Sequence, residues 1–180
     1  QEKSIRNAEK KYGKTDCLIN NAGVMLLGQV DTQDPSEFTR MLDLNVKAVL
    51  NGMHFVLSDM KSRRSGTIIN ISSVAGVKTS RNRAAYGGTK FAVQALTEIV
   101  REEVAEFNVR VIAIAPGVVE TELLSHTTSE EIKSNYKDWK KKIGKVLDAD
   151  DIAKTIEFAY SLPQDICIRN LVIASTRQEP

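Results

Sequence analysis

Hydrophobic and polar positions along the chain follow two alternating periods. Short unbroken apolar or β-branched runs recur at Asp16-Cys17-Leu18-Ile19-Asn20, at Gly66 to Ile71, at Val109 to Ala115 and at Ile168 to Ala174. Runs of this length, bounded by turn residues, predict buried strands. Between them, apolar residues return every three or four positions. Glu2 to Tyr12 reads as the end of an amphipathic helix closed by Gly13. Asp34-Pro35 opens a long helix over 35–62, with Asp34 as N-cap and Pro35 at its first position. Its apolar face carries Phe38, Met41, Leu42, Val46, Val49, Leu50 and Met53. Ala92, Leu96, Val100, Val104 and Phe107 predict a second long helix over 84–107. Ser129-Glu130-Glu131-Ile132 is a helix start, and Asp148-Ala149-Asp150-Asp151-Ile152 caps a last helix that runs to about Tyr160. Strands alternating with helices over short loops predict a doubly wound α/β fold, with a mostly parallel sheet between two helical layers, in one domain over 1–180. Glu122 to Val146 is the least regular part, and repeats and low-complexity segments are absent.

Composition narrows the function classes. The chain has 180 residues, 42% hydrophobic and 27% charged, with a formal net charge of +2. That suffices for one domain with a real core, and a charge this small gives no case for nucleic acid. No apolar run approaches the roughly 20 residues that span a bilayer. The start, Gln1-Glu2-Lys3-Ser4, has neither an initiator methionine nor a signal-peptide profile. Cys17 and Cys167 lie in separate apolar runs and read as two buried thiols in a reducing cytoplasm rather than a disulfide or metal site. His54 and His126 have no ligand-spaced partner and read as structural or solvent-facing.

Candidate chemistry centres on Ser73 and on Tyr86-Gly87-Gly88-Thr89-Lys90. Tyr86 and Lys90 stand at i and i+4 of the predicted helix, which puts both side chains on one face. A free tyrosine, with a pKa of about 10, is a poor base near neutrality. An ammonium on the same face is expected to lower that pKa. Such a tyrosine can give a proton to a carbonyl oxygen or take one from an alcohol, while the Ser73 hydroxyl holds the same oxygen. Tyr-x-x-x-Lys alone is common on solvated helices; the serine at the end of the preceding strand makes this one specific. Asn21-Ala22-Gly23, at the end of the first strand, lets backbone approach a ligand closely, and the Asn21 amide can fix neighbouring strands. Asn45 lies mid-helix, where an asparagine is usually exposed or bonded to neighbouring backbone. Arg81 and Arg83, in the polar loop Val77 to Arg83, read first as solvated or inter-subunit groups, with an anionic substrate as the other role. Lys137, Lys140, Lys141, Lys142 and Lys145 around Trp139 read as a solvated helix face with one apolar anchor.

Asn20-Asn21-Ala22-Gly23, Asn45, Ser73, Tyr86-x-x-x-Lys90 and Pro116-Gly117, in that order, resemble the short-chain dehydrogenase/reductase family in its single-domain form, over nearly the whole chain. The resemblance implies a Rossmann-like fold and hydride transfer between NADP, or NAD, and a small-molecule carbonyl or secondary alcohol. It implies Tyr86 as acid/base, Lys90 as its modulator and ribose ligand, Ser73 as substrate-orienting group and Asn45 as holder of a relay water. It places Asn21, Ala22 and Gly23 beside the adenosine side of the cofactor. Pro116, Gly117, backbone near Val119 and the Thr121 hydroxyl fall toward the nicotinamide, and 122–146 is expected to form a substrate lid. It further implies a cytoplasmic homodimer or homotetramer through the helices at 35–62 and 84–107. Family members open with a glycine-rich turn, yet no G-x-x-x-G-x-G stands in this sequence. The expectation is that two βα units of about 30 residues each, and with them the first strands, precede this stretch. Other readings are an epimerase or dehydratase of the extended branch, a non-catalytic Rossmann-like regulator, and a serine acyl-enzyme built on Ser58-Asp-Met-Lys61 or Ser134-Asn-Tyr-Lys137. The last lacks the accompanying S-D-N and K-T-G.

Overall fold

Four short β-rich runs pair edge to edge into one sheet. The computed structural model describes residues 2–178; Gln1, Glu179 and Pro180, at the ends of the expected domain, lie outside the described residues. The strands are β1 (Cys17–Asn20), β2 (Gly66–Ile71), β3 (Val109–Pro116) and β4 (Asn170–Ile173), in spatial order β1-β2-β3-β4 and all parallel. β3 is buried at every position, as a central strand covered on both faces must be. β1 has no second neighbour among the described residues, and Ile19 on it is 44% exposed.

Helices α1 (Glu2–Tyr12), α2 (Pro35–Met41), α3 (Ala48–Arg63), α4 (Ala84–Val104), α5 (Glu130–Ile143) and α6 (Ala149–Ser161) complete the chain. The start signals predicted from sequence are in place. Asp34 Oδ1 accepts from Ser36 N, Ser129 Oγ accepts from Ile132 N, and Asp148 and Asp151 form a reciprocal capping box at α6. Gly13, at φ 96°, ends α1 in a conformation that favours glycine. One feature departs from the expected single helix over 35–62: between α2 and α3, Leu42–Lys47 winds as a π-helix.

The period-2 alternation of the strands sorts the core into two layers. Ile68, Val109 and Val111 face α3 and α4, where Val49, Met53, Val56, Met60, Val93 and Val100 pack on them. Ile69, Ile112 and Ile114 point the other way and meet Ala159 of α6. The result is the expected α/β/α arrangement. A third cluster, Val24 to Leu27 with Met41, Ala75 and Tyr86, sits beyond the C-terminal strand ends and supports the cleft described next. Buried Arg110 donates to Thr67 Oγ1 and to the carbonyls of Tyr160 and Leu162, so its cation closes the C-terminus of α6. Cys17 and Cys167 are free thiols, half-buried rather than fully buried as expected.

Candidate active site

All four strands run the same way, so their C-terminal ends share one edge of the sheet, where open α/β folds bind ligands. A cleft of about 1040 Å³ lies there. Its wall includes Asn21, Ala22, Gly23, Ser73, Tyr86, Lys90, Pro116, Gly117, Val119 and Thr121. The sequence-predicted groups therefore converge on one space, although 100 residues of chain separate the ends of the set. Asn45 stands just behind this wall.

The geometry of the central groups follows from their elements. Ser73 caps the short 3₁₀ turn Val74–Gly76: its Oγ accepts from Ala75 N at 3.1 Å and donates weakly to Pro116 O at 3.5 Å. The Ser72 hydroxyl is already engaged, donating to Lys90 O at 3.0 Å. Tyr86 and Lys90 share a face of α4, with Lys90 Nζ 5.9 Å from the Tyr86 ring centroid. Lys90 Nζ donates to Ile71 O at 2.9 Å, which leaves two of its three N–H groups for other partners.

The expected lowering of the Tyr86 pKa by Lys90 is not found. Burial dominates and pushes the Tyr86 phenol up to about 12, against a downward pull from the Ser73 hydrogen bond. Lys90 is itself only 7% exposed, and burial brings its ammonium down to about 8. The i, i+4 spacing correctly placed both groups on one face. It could not show that both would be desolvated, which disfavours each charged form.

Asn45 is neither exposed nor an ordinary mid-helix residue. It is 1% exposed, within the π-helical stretch, a local geometry frequent at functional sites. Its Oδ1 accepts from Val24 N at 2.8 Å, and its Nδ2 donates to Val24 O at 2.9 Å and to Thr89 Oγ1 at 3.1 Å. Asn45 thus ties the 23–27 segment to α4. A Cβ added at Gly23 would lie 3.2 Å from Asn45 Oδ1 and 3.7 Å from Lys90 Nζ. The bare glycine keeps a small polar space between these two groups open.

The strand-bridging amide belongs to Asn20, not to Asn21. Asn20 Nδ2 donates to Asn70 Oδ1 at 2.8 Å, and Asn70 Nδ2 donates to Thr97 Oγ1 at 3.0 Å. Asn21 is exposed on the cleft wall. Side chains alternate along a strand, so the last inward position, Asn20, takes the buried role. The sequence signal for this network was Asn70, a lone amide inside an apolar strand.

After β3, Leu147 pairs with the chain on one side: Glu120 N donates to Leu147 O and Leu147 N to Val118 O. Alternation then turns the N–H and C=O of Val119 toward the cleft it lines. Thr121 is exposed, its hydroxyl accepting from Leu123 N at 3.4 Å. The open backbone at Val119 and the two unassigned donors of Lys90 would suit the nicotinamide and ribose end of a dinucleotide; Gly23, expected beside the adenosine side, lies next to Lys90. Among the described residues no cluster of histidine, cysteine or carboxylate side chains suits a metal ion, and no helix is long and apolar enough to cross a membrane.

Residues 1–132 match the family described as short chain dehydrogenase. The chain belongs to that family. An uncharacterized oxidoreductase of Staphylococcus saprophyticus is 35% identical over 176 residues, covering 97% of this chain and 70% of that protein. Among solved structures, a closed form of serine dehydrogenase complexed with NADP+ superposes with TM-score 0.87 at 26% identity, covering 100% of this chain and 74% of the other. ElxO with NADP bound gives TM-score 0.82 at 31% identity, covering 96% and 71%. These likenesses bear out the Rossmann-like α/β fold.

Proposed function

We propose that this protein is an NADP-dependent oxidoreductase, with NAD as the second choice, that interconverts a carbonyl and a secondary alcohol. The observation that carries the reading is the meeting of Ser73, Tyr86 and Lys90 in one cleft at the C-terminal strand edge. NADP-bound relatives of the same fold support the choice of cofactor. A bound nicotinamide supplies or accepts the hydride.

The chain's own groups handle the oxygen and its proton. With its pKa near 12, Tyr86 is protonated at neutral pH and is set to act as an acid toward a carbonyl oxygen. The Ser73 hydroxyl, bound only weakly to Pro116 O, is free to turn and donate to the same oxygen. Lys90 offers two N–H groups to ribose hydroxyls, and its pKa near 8 lets it pass a proton close to neutrality. A water in the space between Lys90 and Asn45 would link that proton to solvent. Segment 122–146 packs Leu123, Leu124, Ile132 and Tyr136 against the 24–27 segment and acts as the substrate lid. Leu50 on α3, with Phe91 and Ile99 on α4, is partly exposed and supports association of copies through these helices in the cytoplasm.

The test is turnover by the full-length protein of simple ketones and aldehydes with NADPH or NADH, followed by the loss of reduced nicotinamide. Turnover with NADPH preferred is expected. A protein that binds either cofactor and reduces no carbonyl compound is not an enzyme of this kind.

A further inference from the structure

Helix α5 presents two aromatic rings to the mouth of the cleft. Tyr136 and Trp139 stand edge to face, centroids 5.3 Å apart and planes at 70°. The Arg83 guanidinium carbon lies 5.7 Å from the Tyr136 centroid and 5.4 Å from the Trp139 centroid. Arg83 stands at the start of α4, one turn before Tyr86, and lines the same cleft. Arg81, its neighbour in sequence, is exposed. The two arginines read alike in the sequence, and the fold separates them.

Arg83 differs from the other half-buried and buried arginines in having no acceptor. Arg63 pairs with Asp16 and Asp59, Arg101 with Glu98, and Arg110 with the carbonyls of Tyr160 and Leu162. Among the described residues Arg83 has its two rings and no carboxylate or carbonyl partner. Rings lying against a guanidinium hold it without using its in-plane N–H groups, which stay available to a ligand. The surrounding charge has the matching sign. The lining holds Arg83, Lys90, Lys133, Lys137 and Lys140 against only Glu120 and Glu122. Lys140 is neutralised by Glu120 and Lys133 by Glu130, so among the described residues Arg83, Lys137 and Lys90 remain without an ion pair, Lys90 already donating to Ile71 O.

We propose that Arg83 binds a carboxylate of the substrate, so that the protein acts on a short oxo acid and its hydroxy acid. The assignment rests on the oxidoreductase reading above. The reacting oxygen must sit at Tyr86 and Ser73. Arg83 caps the start of α4 three residues before Tyr86, lines the same cleft, and its charge acts on the Tyr86 phenol, so a carboxylate held by it can belong to the same short substrate. A guanidinium receives a carboxylate in two parallel hydrogen bonds, and its seat on Tyr136 and Trp139 strengthens them by keeping water from one side. Tyr136 and Trp139 belong to the lid segment, so a bound acid would also tie the lid to α4.

The experiment uses the full-length protein with NADP+ and two probes, 3-hydroxybutyrate and its methyl ester, in wild type, Arg83→Gln and Arg83→Lys. Wild type is expected to favour the acid in kcat/KM by at least about tenfold, the scale of one charge-assisted contact. Arg83→Gln should bring the acid-to-ester ratio near one, mainly through the KM of the acid, and Arg83→Lys should keep part of the preference. Trp139 is the only tryptophan among these 180 residues and stacks on Arg83, so a fluorescence change that is lost in Trp139→Phe reports binding there without turnover. A saturable change with 3-hydroxybutyrate in the NADP+ complex is expected in wild type and lost in Arg83→Gln. A ratio unchanged by Arg83→Gln overturns the proposal. Weakened NADP+ binding with an unchanged ratio also overturns it, and assigns Arg83 to a cofactor phosphate. Ester turnover without preference for the acid overturns only the Arg83 assignment. No turnover of either probe, with no fluorescence change, overturns the oxo-acid proposal; the oxidoreductase reading falls only if simple ketones and aldehydes are not reduced either.

Discussion

Replacing Lys90 with methionine tests the electrostatics of the cleft without reference to any substrate. Lys90 is buried, and its pKa falls from the ordinary 10.5 to about 8. Below about pH 8 both folded and unfolded chains carry the proton, and folding bears the full cost of burying the charge. Above it the folded chain loses the proton first, while the unfolded chain keeps it until near 10.5. The unfolded state then binds more protons, so this residue makes stability rise with pH across that window. At about 1.4 kcal/mol per unit, the gain between pH ~7 and pH ~9.5 is about 2 kcal/mol. Lys90→Met also leaves Ile71 O without its donor. That costs about 1–3 kcal/mol, but equally at every pH. The readout is therefore the slope, not the offset: urea unfolding of both proteins at the two pH values. Wild type should gain about 2 kcal/mol over the variant on going to the higher pH. Parallel stability curves would show that Lys90 is not held at a depressed pKa, and the reasoning about its proton would fail.

Three further outcomes follow from named contacts. Asn70→Ala removes the centre of the Asn20–Asn70–Thr97 network and strands buried polar groups, and should destabilise the fold by about 2–4 kcal/mol in urea unfolding; a loss under about 0.5 kcal/mol would mean the network is not formed. Gly76→Ala would put a Cβ 2.6 Å from Lys90 O, backbone that cannot swing aside, so a loss of about 1–3 kcal/mol and lower activity through the displaced Ser73 turn are expected; wild-type stability would refute the close packing. Sedimentation should find a dimer or tetramer at micromolar concentration, reduced by Ile99→Asp on the exposed side of α4; a wild-type monomer would refute association through α3 and α4.

Much of the fold was legible because the signals were local. Asp34-Pro35, Ser129 and Asp148 mark helix starts by their own chemistry, and Gly66 to Ile71 can hardly be anything but a covered strand. Ser73, Tyr86 and Lys90 were legible because their spacing fits one strand end and one helix face. What the sequence left unread depends on neighbours far along the chain. The π-helical turn that buries Asn45 is set by its fit to Val24 and Thr89, 21 and 44 residues away. The upward shift at Tyr86 comes from burial under the 24–27 segment and α5, which no i, i+4 rule contains. The bridging role falls to Asn20 rather than Asn21, and two adjacent asparagines look alike in sequence until the strand's pleat is fixed. Arg81 and Arg83 look alike within the polar loop; only the packing of α5 on the mouth of the cleft distinguishes them.

The central claim is that Tyr86 moves the proton in a nicotinamide-dependent carbonyl reduction. Tyr86→Phe in the full-length protein tests it directly, because it removes one hydroxyl and leaves the ring that packs with Met25, Leu27 and Ala75. NADPH binding and NADPH-dependent turnover should be measured on the same samples. A positioned general acid contributes roughly 10²–10⁴-fold, so turnover should fall by that factor while the NADPH Kd stays within a few-fold. Tyr86→Phe protein that binds NADPH and still turns over at close to the wild-type rate would contradict the account.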